Sequence, residues 1–162
     1  MLEIRRLPVR RWREYRDLRL EALRNDPAAF GSSPEEEERF GEEEWRRRIR
    51  NAVFALVDGE PVGMVAVVFN DRPKTRHVVD VFGVYVRPEH RGRGVGARLL
   101  GSALRLVRRR NGVVKVKLTV NPEQRAALGL YERAGFVVAG RLSKELKIGS
   151  SFYDELVMEK ML

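Results

Sequence analysis

A proline-terminated apolar run, three alternating glycines and a helical pattern follow one another in Val84-Tyr85-Val86-Arg87-Pro88-Glu89-His90-Arg91-Gly92-Arg93-Gly94-Val95-Gly96-Ala97, and no other segment limits the fold as strongly. Glycine permits positive φ and close approach of the backbone to a ligand. The N–H groups of such a turn, together with a helix N-terminus, form an anion site. Arg87, Arg91, Arg93 and Arg98 add positive charge around it. The expected unit is a strand, a turn that holds a pyrophosphate, and a helix.

Two other phosphate-binding designs fail on the residues. A P-loop requires Lys-Ser/Thr after its last glycine, and here Ala97-Arg98 follow. A dinucleotide fold is matched in letters by Gly92, Gly94 and Ala97. It also wants the loop in the first βα turn and an acidic residue about twenty positions on. The loop lies past mid-chain, and Arg108 to Val120 contains no Asp or Glu.

The flanking pattern places this unit in one domain spanning residues 1–162. Leu2–Leu7 reads as a strand ended by Pro8, and Val9–Arg24 as a helix with Trp12, Tyr15, Leu20 and Leu23 at helical spacing. Ser33-Pro34-Glu35-Glu36 is a capped helix start, and that helix is expected to run to about Arg50. Ala52–Asp58 and Val62–Phe69 form a hairpin about Gly59-Glu60, and Arg76–Arg87 is the next strand. Gly94–Arg110 is an amphipathic helix, Val113–Val120 a strand, and Pro122–Ala134 the last helix. Phe136–Leu142 and Phe152–Lys160 close the chain around a Ser143–Tyr153 hairpin. The fold class is α/β (α+β): a mixed, mostly antiparallel central sheet of six to seven strands with helices on both faces.

Composition removes several chemistries. The chain has no cysteine and only His77 and His90, which excludes a cysteine nucleophile and a Cys/His zinc site. Its longest apolar stretch, Val62–Phe69, is far short of the roughly twenty residues of a membrane helix. No signal-peptide pattern opens the chain, so a cytoplasmic protein without membrane partners is expected. The net charge of +9 favours anionic partners. Arg46-Arg47-Arg48 and Arg108-Arg109-Arg110 keep a basic nucleic-acid-binding module as an alternative, although no interleaved aromatics support it and no nucleic acid is expected.

Arg91-Gly92-Arg93-Gly94-Val95-Gly96 resembles the R/Q-x-x-G-x-G/A motif of the GCN5-related N-acetyltransferase (GNAT) superfamily. Ala127, Leu130-Tyr131-Glu132 and Gly135-Phe136 resemble that family's second block. The stretch Asp26–Ser33 is similar to a bacterial subgroup. The resemblance covers Ile4 to Met158 and implies a GNAT-like acyl-CoA N-acyltransferase fold, with acetyl-CoA as co-substrate and no metal. It implies that acetyl-CoA lies between the strand ending at Val86 and the strand Val113–Val120. Its pantetheine arm would pair with backbone at Val84, Tyr85 and Val86, and its pyrophosphate would rest on Arg91 to Gly96.

The same resemblance makes Tyr131 the general acid and puts Gln124 where many members carry an asparagine that contacts the pantetheine. For the base, Asp80 is the one carboxylate inside Val78-Val79-Asp80-Val81-Phe82, and burial there is expected to raise its pKa. A water relay past Thr119 is the alternative. The acceptor is expected to be a primary amine of a small molecule, with a protein N-terminal or lysine amine as the other possibility. Lys144, Lys147, Tyr153 and Asp154 are candidates for binding a carboxylated amine. A homodimer is a further expectation.

Overall fold

The computed structural model describes residues 1–162. Strand β1 (Leu2–Arg5) is followed by helix α1 (Trp12–Asn25), then by two short helices, α2 (Pro34–Glu37) and α3 (Glu42–Ile49). Three antiparallel strands follow: β2 (Ala52–Val57), β3 (Glu60–Phe69) and β4 (Val78–Val86). Helix α4 (Val95–Arg108), strand β5 (Lys115–Val120) and helix α5 (Arg125–Arg133) lead to the closing hairpin of β6 (Val137–Ile148) and β7 (Ser151–Met161). The seven strands form one sheet in the order β1-β2-β3-β4-β5-β7-β6. Only β4 and β5 run parallel. No helix is long and apolar enough to cross a membrane.

Apolar alternation fills both faces of this sheet. On one face Leu99, Leu100, Ala103 and Val107 of α4 pack with Val53, Val65, Val79, Val81 and Val116. On the other, Trp12, Tyr15, Leu18 and Leu23 of α1 and Trp45 and Ile49 of α3 cover Phe54, Met64 and Tyr85. Tyr15 meets Trp45 and Phe54 edge-on at centroid distances of 5.7 and 5.5 Å, a geometry that adds to simple burial.

The expected long second helix is two helices. Ser33 caps α2, its Oγ accepting the Glu36 N–H at 3.2 Å, but Gly41 is extended (φ −75, ψ 171) and starts α3 anew. The break lets Phe40 turn back onto Trp45, 5.8 Å away, and places Glu37 inside the protein at 0 % exposure. The closing strands are also longer than expected, turning only at Gly149-Ser150. The register shifts between Leu142 and Leu146, where Lys144 has φ +51. Asp154 stitches that irregularity. It accepts the Lys144 N–H at 2.8 Å and Arg141 Nη2 at 2.6 Å, so it is committed within the hairpin rather than offered to a ligand.

Candidate active site

β4 and β5 pair only over Val78–Asp80 against Lys115–Lys117. β4 continues to Val86 along β3, and β5 continues to Val120 along β7. The two strands therefore separate, and a gap opens through the sheet. The separation coincides with a break in the β3–β4 register between Met64 and Ala66, opposite Gly83, whose φ is +65. A bulge of this kind re-aims the strand: Val79 and Val81 join the α4 core, whereas Phe82 and Tyr85 pack with α1.

Two adjoining cavities occupy the gap. One, of about 390 Å³, is lined by Val84, Tyr85, Val86, Arg91, Gly92, Gly94, Val95 and Gly96, and on the α5 side by Gln124, Leu130 and Arg133. Gly94, with φ +76, precedes helix α4 and gives it no side-chain cap, and Gly94 and the first residues of the helix, Val95 and Gly96, line this cavity. Of the six residues of the glycine turn, Arg93 is the one that does not line it. Arg125 and Arg133, which sequence reasoning did not single out, bring positive charge from α5. Arg91, which lines this cavity, is also held on both sides. Its Nε donates to the Val86 carbonyl at 2.6 Å and its Nη2 to Asp26 at 2.8 Å, tying the turn to the end of α1. Arg87 likewise pairs with Glu21 at 3.1 Å, and Glu21 also accepts the Tyr85 hydroxyl.

The second cavity, of about 210 Å³, shares Ala29, Val84, Gln124 and Ala127 with the first. Its other walls come from both faces of the sheet: Tyr131 from α5, Arg19 from α1, the Phe30-Gly31-Ser32 loop, Gly83, Thr119, Asn121 and Glu155. Tyr131 is 7 % exposed, and burial pushes its hydroxyl up to about 12. Asn121 braces the wall. Its Oδ1 accepts the Glu123 N–H at 2.9 Å, and its Nδ2 reaches the Ala28 carbonyl at 3.4 Å.

Asp80 does not meet the expectation of burial. Its side chain is 38 % exposed and pairs with Lys117 Nζ at 3.6 Å. It lies where β4 and β5 are still joined, and it lines neither cavity. The carboxylate that the fold brings to the Tyr131 cavity is Glu155. Burial raises its pKa, the neighbouring charge of Glu145 adds to the rise, and the Thr119 hydroxyl offsets part of it. Nothing in the local sequence marks Glu155, because it reaches the gap only through the antiparallel pairing of β7 with β5.

A sequence profile described as "Acetyltransferase (GNAT) family" matches residues 12–136, the segment that contains the turn, the gap and Tyr131. The chain belongs to this family. A protein of Methanocaldococcus jannaschii, named an uncharacterized N-acetyltransferase, is 35% identical over 82 residues, or 49% of this chain; the match spans only 36% of that protein's length. An L-amino acid N-acetyltransferase of Escherichia coli is 25% identical over 122 residues, covering 72% of this chain and 75% of that one. The fold matches a putative acetyltransferase of Salmonella typhimurium, solved with its cofactor acetyl-CoA, at a TM-score of 0.85 and 18% identity, over 100% of this chain and 94% of that one.

Proposed function

We propose that this GNAT protein transfers the acetyl group of acetyl-CoA to the primary amine of a small molecule. The observation that carries the proposal is the gap through the sheet, with an anion-binding helix N-terminus at one end and a tyrosine and a carboxylate at the other. Acetyl-CoA fits the larger cavity by chemistry. The free N–H groups at Gly94 to Gly96 and the α5 arginines suit its pyrophosphate. The separated edge of β4 at Val84 to Val86 suits its amide-bearing arm, with Gln124 reaching in from α5. Acetyl-CoA bound to the Salmonella protein of the same fold supports this assignment. The smaller cavity, below the ~300–1,000 Å³ of most ligand clefts, suits a small amine better than a protein surface.

In this mechanism the amine nitrogen attacks the thioester carbon. The carbon–sulfur bond breaks, and the products are the acetamide and free CoA thiol. The nitrogen must first shed a proton, and Glu155 takes it, directly or through one water. A backbone N–H at the β4 bulge, at Val84, stabilises the oxyanion. Tyr131 remains protonated at any working pH. An ordinary thiol has a pKa of about 8.5, so Tyr131 acts as a hydrogen-bond donor to the departing sulfur. Transfer of its own proton to sulfur stays uphill. The proton that completes the CoA thiol is therefore the second one lost by the nitrogen, from the tetrahedral intermediate, while the Tyr131 hydroxyl holds the sulfur by its hydrogen bond.

Amine-dependent release of thiol from acetyl-CoA tests the proposal. Tyr131→Phe is expected to lower kcat by ~10²-fold or more with acetyl-CoA affinity unchanged. An unaltered kcat would remove Tyr131 from the mechanism, and thiol release with no dependence on any amine would contradict the transfer itself.

A further inference from the structure

Arg19 is a buried cation on the apolar stripe of α1, and the acetyl-transfer mechanism does not use it. Its side chain is 4 % exposed. Nε and Nη2 are both committed to Glu37, at 3.0 Å. Nη1 is buried and has no hydrogen-bond partner. Buried donors are nearly always satisfied, and guanidinium carries no acceptor that could rearrange to relieve the deficit. The guanidinium lines the smaller cavity. Nη1 abuts Gly83, which lines the same cavity: a Cβ built there would come within 3.0 Å of it. Phe30 and Phe82 flank the guanidinium, with ring centroids 5.1 and 5.7 Å from its carbon.

Arg19 shares its one carboxylate, Glu37, with Arg48, so its positive charge is only partly offset. The other end of the same cavity carries Glu155, with Glu145 behind it. A cavity of about 210 Å³ is thus positive at the α1 end and negative at the β7 end. That is the complement of a small zwitterion.

Resting on the acetyl-transfer reading, we infer that the acceptor is an amine that also bears a carboxylate, in the manner of an amino acid. Arg19 Nη1 receives the carboxylate and Glu155 faces the amine. The anchoring of Nε and Nη2 on Glu37 fixes the guanidinium before the acceptor arrives, so little rotamer freedom is lost on binding. Gly83 leaves the approach to Nη1 free of a side chain, which gives the bulge in β4 a second purpose beside opening the gap.

The test uses the full chain saturated with CoA, titrated calorimetrically with the standard L-amino acids and with the primary amide of each. Amide and acid share size and amine but differ in the charge offered to Arg19. At least one acid is expected to bind, with its amide about 10- to 100-fold weaker, the range of a charge-assisted hydrogen bond. Arg19→Met should erase that difference while leaving CoA binding intact. Gly83→Ala, which keeps the Arg19–Glu37 pair, should weaken the acid more than the amide. Equal binding of acid and amide, or no binding of any acid by a protein that binds CoA, overturns the inference. Acetylation of amides or simple alkylamines in that situation would leave the transferase reading standing. Absence of CoA binding would instead sink both.

Discussion

Glu155, the proposed base, owes its raised pKa to burial first and to the charge of Glu145 second, not to its neighbours in sequence. A carboxyl at the edge of the cavity, with Glu145 nearby, holds its proton to higher pH than a free glutamate. A base must be deprotonated to act, so kcat/KM should rise with pH through a limb that lies above the ordinary glutamate value near 4.5. Glu155→Gln is expected to remove that limb and to lower kcat/KM by ~10²-fold or more. A pH–rate profile of this variant identical to that of the unmodified protein would take the base assignment away from Glu155. Asp80, already bound to Lys117 at the closed end of the strand pair, is the internal control: Asp80→Asn should leave the same limb in place.

At the scale of elements, the decisive device is the pair of short helices α2 and α3. Pro34 and the Ser33 cap start the first, and Gly41 restarts the second. The break between them drops Glu37 into the interior, where it meets Arg19 and Arg48. Glu37→Gln would leave those arginines without a buried counter-charge, and breaking a pair of this kind costs about 3–5 kcal/mol. A denaturant titration should show that loss in the midpoint with an unchanged slope. A loss under about 1 kcal/mol would mean that the cluster behaves as a surface network. The basic run Arg46-Arg47-Arg48 is accounted for on the same helix: each of the three pairs with an acidic residue of α2 or α3.

For the whole molecule, strands and helices were legible where one periodicity ran unbroken. The glycine turn, α4 and the β2–β3–β4 meander lie close to where alternation and helical spacing put them. Tertiary pairing decided the rest. The gap in the sheet follows from a register break that no residue of β3 or β4 announces apart from Gly83. Arg19 did leave a signal: it shares a helical face with Trp12, Tyr15 and Ala22, all buried, and an arginine on an apolar stripe requires a partner. Glu155 left none, since its place depends on how β7 pairs with β5. The long second helix was expected because its capping box is strong, and Gly41 outweighed that box by providing a fresh helix start.

If the separated strands and the α4 N-terminus hold acetyl-CoA, calorimetric titration of the chain with acetyl-CoA will show it. Saturable one-to-one binding is predicted, together with its loss in Gly94→Glu. There a side chain must adopt φ +76 and set a negative charge against the phosphates, a combination that costs about 1–3 kcal/mol in backbone strain alone. Absence of binding at millimolar acetyl-CoA by the folded protein, or equal binding by the Gly94→Glu variant, would contradict it.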